Sequence, residues 1–395
     1  MQTLPVLSPL IVAIGLPAAD VAWEKRVLSD QYYCDGISTG DFNHDGRPDI
    51  VAGPFWYEGP DFKSAHAFQP PQVFPTEPSP TDSMFSYVWD FNGDGWDDIL
   101  VLGRVHLHQA FWYENPRGED GLWRKHFAFH RVQGESPPFL DVDGDGRPEL
   151  VAHWQDRWGL IQPDWQAPTN EWSFKPITPR GSWHHFYHGE GIGDVNGDGR
   201  LDLILNEGWW EQPADRSRQE WTAHPFVFSD DKGGAQMFAT DVDGDGDNDV
   251  ITALNAHGWG LAWFEQLRTG GEITFRRHLI MGTRAEESRY GVAFSQPHAL
   301  AIGDVNDDGL PDIITGKRRW AHGPTGDVEP MAAPVNYWFE LRRDDGTATF
   351  HPHLIDDNSG LGVQITVADV NADGRLDVLT SSKLGAFAFL NQAVR

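Results

Sequence analysis

Short apolar runs return along this chain at a nearly constant interval. Seven of them read "DIVAG", "DILVLG", "ELVAH", "DLILN", "DVITA", "DIITG" and "DVLTS". They are rich in β-branched residues and too short for helices, so they predict buried strands. An apolar or small-residue stretch precedes each, as in "HALAIG" and "VQITVA". An aromatic run follows most, as in "FWYEGP", "FWYENP", "WWEQP", "LAWFEQ", "NYWFEL" and "AFAFLN". A fourth pattern closes several units: "WRKHFAF", "WTAHPFVF", "FRRHLI" and "FHPHLI". Each unit therefore predicts four strands.

Between the first and second strand of every unit lies one nonapeptide. It reads "DFNHDGRPD", "DFNGDGWDD", "DVDGDGRPE", "DVNGDGRLD", "DVDGDGDND", "DVNDDGLPD" and "DVNADGRLD", with its first Asp at 41, 90, 141, 194, 241, 304 and 369. Repeats at this spacing with strand patterning predict propeller blades. The chain ends complete each other. Only 18 residues follow Asp377, enough for two strands, while "WEKRVLSD" at 23–30 matches the missing fourth. The expected fold is all-β: a seven-bladed β-propeller of four-stranded blades over 21–395, its last blade closed by the N-terminal strand. Such closure leaves no exposed sheet edge.

Charge sharpens this picture. The chain has 395 residues and a net charge of −29, and 26 of its 59 acidic residues fall within the seven nonapeptides. Nucleic acid is excluded as a partner, because phosphate binding needs a basic stripe. Cys34 is the only cysteine, so no intramolecular disulfide forms. No apolar run is long enough to predict a membrane span. The opening "LPVLSPLIVAIGLPAAD" has the apolar core of a signal peptide and small residues at Ala18 and Ala19, but no basic start. Residues 1–20 are expected to be a signal-like or disordered segment, and the protein to be secreted or periplasmic.

Positions 1, 3, 5 and 9 of the nonapeptide carry oxygen in every copy, and position 6 is always Gly. Carboxylates crowded this closely repel one another unless a cation sits among them, and the Gly permits the sharp turn of an EF-hand-type loop. The expected Ca²⁺ ligands are Asp41, Asn43, Asp45 and Asp49; Asp90, Asn92, Asp94 and Asp98; and Asp141, Asp143, Asp145 and Glu149. The later copies give Asp194, Asn196, Asp198 and Asp202; Asp241, Asp243, Asp245 and Asp249; Asp304, Asn306, Asp308 and Asp312; and Asp369, Asn371, Asp373 and Asp377. Seven divalent ions would bring the net charge to about −15. The copies resemble the FG-GAP or VCBS repeats of calcium-loop β-propellers. That resemblance implies Ca²⁺ with a bracing role on one face and leaves any chemistry elsewhere.

What precedes the first strand and follows the second must lie at the end opposite the loops, one short strand away. Nine of the 17 histidines fall in those segments. Histidine serves as base, acid or metal ligand near neutral pH. His188 and His298 each stand six residues before their loop Asp, and Gln236 and Gln364 each stand five before theirs. Equivalent positions in different blades face one axis. No GxSxG, HExxH, P-loop or CxxC motif is present, and "GEGIGD" at 189–194 lacks the βαβ context of a dinucleotide site.

The segments "NEGWWEQP", "NAHGWGLAWFEQ" and "QPHALAIGDVNDDGLPDIITGKRRWAHG" are similar to the propeller domain of the aldos-2-ulose dehydratase family. This resemblance implies a carbon–oxygen lyase that eliminates water, or a glycosidic oxygen, from a keto-sugar such as 1,5-anhydrofructose. The residues suit such chemistry: His188 or His298 as base, His257 or Tyr187 as acid, and Lys317 with Arg318 as donors to the enolate oxygen. Glu207 would orient a histidine, and His153 would join a histidine cluster holding a transition metal such as Zn²⁺ at the axis. Trp209, Trp259, Trp320, His322, Gln236, Gln364 and Arg289 would contact the sugar. The alternative is a non-catalytic module that binds glycan or protein through an aromatic face.

Overall fold

The computed structural model describes residues 21–77, 81–103, 109–215, 218, 220–229, 233–344 and 346–393. The expected N-terminal segment 1–20, and His106 and His108, lie outside the described residues. The described residues are almost entirely strand and turn, with one short helix at Glu287–Tyr290. No described helix is long and apolar enough to cross a membrane.

Four-strand units repeat around an axis, each joined by antiparallel pairing. The first comprises Ile37–Gly40, Asp49–Ala52, Phe55–Tyr57 and Ala65–Ala67, in that order from the axis outward. The sheet holding the chain end runs Ile365–Ala368, Asp377–Ser382, Gly385–Ala393 and then Val21–Ser29, so the N-terminal strand supplies its outer edge. Second strands such as Asp98–Leu102 and Asp249–Ala253 are buried at every residue. That explains their continuous apolar character. Large side chains fill the spaces between neighbouring sheets: Phe91, Trp112, Phe139 and Trp172 pack together across one such space.

The strands do not separate into seven blades. Five four-stranded sheets stand alone, and the strands from Glu190 to Met281 form one continuous eight-stranded sheet. Its two halves join through parallel pairing of Glu190 with Gln236 and Gly191 with Met237. Glycine permits this junction. A Cβ on Gly191 would stand 1.9 Å from the Met237 carbonyl oxygen, and one on Gly193 would stand 2.6 Å from the Ala239 Cβ. With no side chain in the way, the edge N–H and C=O groups of adjacent inner strands pair directly.

The ninth residue of each nonapeptide anchors its loop. The Asp202 carboxylate accepts the Val195 N–H at 3.0 Å and the Gln212 N–H at 2.9 Å, tying loop to third strand. Asp49, Asp98, Asp249, Asp312 and Asp377 make the same two bonds in their own units. Glu149 makes the loop bond, to Val142 N–H at 2.9 Å. A side-chain amide on the third strand then reaches the preceding unit. Asn115 donates to the Phe42 carbonyl, Gln212 to Val142, Gln266 to Val195 and Asn391 to Val305. The Asn or Gln that ends "FWYEN", "WWEQ", "LAWFEQ" and "AFAFLN" is thus an inter-sheet staple. At position 6, Gly adopts φ between 82° and 93° in all seven loops, a region costly for any residue with a Cβ.

The outer strands carry a second repeated contact. Trp56, Trp112, Trp209, Trp263 and Trp338 face His66, His126, His224, His278 and His353 across the sheet, rings stacked 4.0–4.4 Å apart. Each imidazole also meets the Glu two residues after its Trp, at 2.7–3.3 Å. These five histidines serve the outer wall. His126→Ala removes a buried ring and leaves Glu114 without its 2.8 Å partner. We expect it to lower the unfolding free energy by about 1–3 kcal/mol in urea titration.

Candidate functional site

At the end opposite the nonapeptides, three histidines from separate segments meet. His188 Nε2 lies 3.3 Å from His298 Nε2 and 3.2 Å from His257 Nε2. Glu135 closes the group, with Oε2 at 3.0 Å from His188 Nε2 and 3.4 Å from His298 Nε2. Glu135, His188 and His298 each stand six residues before the first Asp of their loops, so each occupies the same place in its unit. His257 enters from the turn after Asp249–Ala253.

The surrounding groups fix which nitrogen faces inward. His188 Nδ1 lies 3.0 Å from the Phe186 carbonyl oxygen, an acceptor only, so Nδ1 carries a hydrogen and Nε2 turns toward Glu135 and the other two histidines. His257 Nδ1 lies 3.3 Å from Asp327 Oδ1, close but off the hydrogen-bond line, and its Nε2 also turns inward. His298 Nε2 accepts the Arg318 guanidinium N–H at 2.9 Å. Burial, then Arg318, holds the His298 pKa well below the usual histidine value, and burial lowers that of His257. Burial raises the Glu135 pKa, but His188 and His298 outweigh it and leave the carboxyl well below its ordinary range.

Three inward nitrogens beside a carboxylate are held together by shared protons or by a cation. An outer nitrogen held by a carbonyl orients a metal-binding imidazole, and His188 alone has this support; the Nδ1 atoms of His257 and His298 are buried without a hydrogen-bond partner. Tetrahedral ligand atoms about 2.0–2.1 Å from zinc lie roughly 3.3 Å from one another. His188, His257 and His298 are thus spaced for a divalent transition metal, and Glu135 lies against two of them. Arg318 occupies the lone pair of His298 that such an ion would use.

Asp327 links this cluster to open space. It takes the His322 Nδ1–H at 2.8 Å and the His322 backbone N–H at 2.8 Å. Although burial alone would raise it, the His257 and His322 contacts hold the Asp327 pKa well below normal. His257, His322, Gly326, Asp327 and Val328 line a cavity of about 450 Å³.

Other expected residues have different surroundings. Glu207 orients no histidine; it accepts from the Tyr187 hydroxyl and the Trp183 indole. Tyr187 also accepts the Asn206 N–H at 3.0 Å, and burial, then Glu207, pushes its pKa far up. His153 packs on Trp158 and Tyr187. Lys317 donates to the Ser295 hydroxyl at 2.8 Å, and burial pushes its pKa down to about 8. Gln236 bridges Val363 O and Leu300 N–H, while Gln364 bonds both backbone groups of Ser86, so these amides stitch inner strands together. Trp209 is buried under His224. The Trp320 indole faces the Thr76 carbonyl at 3.4 Å, Trp259 lies beneath Arg284, and Arg289 covers Tyr290. Glu135 and Asp327 were not expected; the six-residue offset shared with His188 and His298 is the signal that reveals Glu135.

The sequence profile described as "FG-GAP-like repeat" matches residues 90–152 and 241–315. This chain carries FG-GAP-like repeats. They are arranged as a propeller, and solved propeller structures are similar to it. One is a lectin from Agrocybe aegerita described as recognising non-reducing terminal N-acetylglucosamine, at 16% identity and a TM-score of 0.51, covering 90% of this chain and 84% of the lectin. Another is an exotype rhamnogalacturonan lyase, at 12% identity and a TM-score of 0.44, covering 95% of this chain and 75% of the lyase. A second rhamnogalacturonan lyase aligns at 13% identity and a TM-score of 0.45, covering 97% and 76%. At 16% identity the likeness to the lectin is one of fold. No curated protein sequence matches the chain.

Each nonapeptide loop folds its acids inward. Asp194 accepts the N–H groups of Gly197, Asp198 and Gly199, while Asn196 accepts that of Asp198. Asp141, Asp143 and Glu149 form one cluster spaced for a cation, and Asp241, Asp243 and Asp249 another. Burial, only partly offset by backbone N–H donors, pushes the ninth-position carboxyls up. They reach about 6 at Asp49 and Asp377, about 7 at Glu149, Asp202 and Asp249, and about 8 at Asp98 and Asp312. Folded-state values above the unfolded ones mean that protonation favours the fold. In protein stripped by a chelator, stability should therefore fall as pH rises from about 4 to about 8. Thermal midpoints across that window check this; a rise over the same range would contradict it.

Proposed function

We propose that this propeller is a carbohydrate-active lyase that performs β-elimination on a keto-sugar at the His188, His257, His298 and Glu135 cluster. The observation that carries the reading is the meeting of three Nε2 atoms beside a carboxylate at the mouth of a cavity. A metal ion such as Zn²⁺, when held by the three histidines, would supply Lewis acidity at the sugar carbonyl oxygen.

The chain's own groups provide the rest. His322, its Nδ1–H fixed by Asp327, offers the other ring nitrogen as base for the proton next to the carbonyl. As His322 takes that proton, the carbon–carbon double bond forms and the β-oxygen departs with its bonding pair, receiving the same proton from the His322 imidazolium. Arg318 stands beside the cluster as donor to the developing enolate oxygen, once it releases His298. Lys317, oriented by its bond to Ser295, contributes its charge. Calcium in the nonapeptide loops would offset their buried acids and brace this end from a distance, and suits a secreted or periplasmic setting.

A second reading, a glycan-binding module, draws on another pocket. Tyr33, Gln69, Gln72, Phe111, Tyr113 and Lys125 are among the residues lining about 320 Å³ between two neighbouring sheets. Aromatic faces beside amides suit a sugar ring.

Incubation with keto-sugars, followed by the ultraviolet absorbance of enone products, tests the lyase. His298→Ala should lower both bound metal and elimination, the latter by about a hundred-fold or more, with little change in thermal midpoint. His322→Gln should lose elimination yet keep the metal. Full activity in both variants would remove the cluster from the mechanism.

A further inference from the structure

Two cationic side chains stand buried beside the histidine cluster with hydrogen-bonding capacity unused. Lys383 sits at the hairpin tip after Asp377–Ser382 and is only 6% exposed. It makes no hydrogen bond or ion pair among the described residues; the Tyr32 ring lies 5.9 Å from its Nζ. Arg318, 5% exposed, follows Asp312–Gly316 in the next sheet. One of its terminal nitrogens bonds His298, the other lies 3.7 Å from Asp35 Oδ1, and its buried Nε has no partner. Arg318 and Lys383 each stand fourteen residues after the first Asp of their loops, at Asp304 and Asp369. The repeat thus brings two cations to equivalent places in adjacent sheets.

Their setting is poorly neutralised. Asp35 is the closest acid and is already engaged by the Tyr32 hydroxyl at 2.7 Å. Asp327 and Glu77 act on Lys383 only through space, and Asp327 is shared by His257 and His322. Buried charges without hydrogen-bonded partners are costly, and in a binding site the missing partner comes from the ligand. A protein of net charge −29 would not draw anions to itself without such a local device.

We propose that the ligand of this site is an acidic sugar whose carboxylate is held between Arg318 and Lys383. The proposal rests on the carbohydrate reading above and narrows it from sugars in general to uronates. Arg318 offers planar donors and Lys383 a point charge, a pairing suited to a carboxylate. Pulling Arg318 toward the ligand would also free the His298 lone pair that it occupies.

Calorimetric titration of the full chain with a uronate disaccharide and with its methyl ester decides the matter. The acid should bind more tightly than the ester by about thirty-fold or more. Lys383→Met should lose that preference by weakening the acid alone, and Lys383→Arg should keep it. Equal affinity for acid and ester, a preference retained by Lys383→Met, or tighter binding of a sugar phosphate than of the uronate would each overturn the proposal. Neutral keto-sugars bound and eliminated without any preference for the acid would leave the lyase standing and sink the carboxylate site. Acid-selective binding with no unsaturated product would do the reverse.

Discussion

One buried carboxylate per repeat holds this molecule together. At the ninth loop position it accepts an N–H from the loop and, in six of the seven units, a second from the third strand. That geometry fixes where the loop ends, how the second strand starts and where the third strand passes. The amide staples from Asn115, Gln212, Gln266 and Asn391 then bind each unit to the one before it. A carboxylate buried this deeply is costly unless it is hydrogen-bonded. Its raised pKa records the burial, and a cation among its acidic neighbours would relieve it.

Because every unit is anchored at one end in the same way, its other end is also placed the same way. Residues at a fixed offset from the loop therefore arrive at one height around the axis. Six residues before the loop stand Asp35, Glu135, His188 and His298 in four units, while the others carry Met84, Ala235 and Val363. The polar members lie in contact or are linked through Arg318. The scaffold is thus repetitive and the site is not: differing side chains at equivalent positions compose one asymmetric cluster. Function on such a fold is written in these exceptions to the repeat.

The strand pattern, the nonapeptide and the pairing of the chain ends were all legible, because each depends on local chemistry or on a short periodicity. So was the common level of His188 and His298, six residues before their loops. Reading stopped where a residue's partner came from another unit. Gln236 and Gln364 share an offset and face the axis, yet their amides are consumed by backbone groups of neighbouring strands. Tyr187 and Glu207 bond each other, and His153 packs on aromatic rings. The Trp residues of the third strands stack on their own fourth-strand histidines.

The sequence by itself determined the four-strand unit, its loop and which residues would stand at each level, since glycine, alternation and spacing act within a few residues of one another. Only the tertiary structure decided how neighbouring units met. The close approach at Gly191 fused two of them into one eight-stranded sheet, leaving five separate blades where seven were expected. It also decided which buried polar groups found partners and which, like the Arg318 Nε and the His298 Nδ1, did not. Spacing along a chain sets height around an axis, but hydrogen-bond satisfaction depends on what the next sheet brings within about 3 Å.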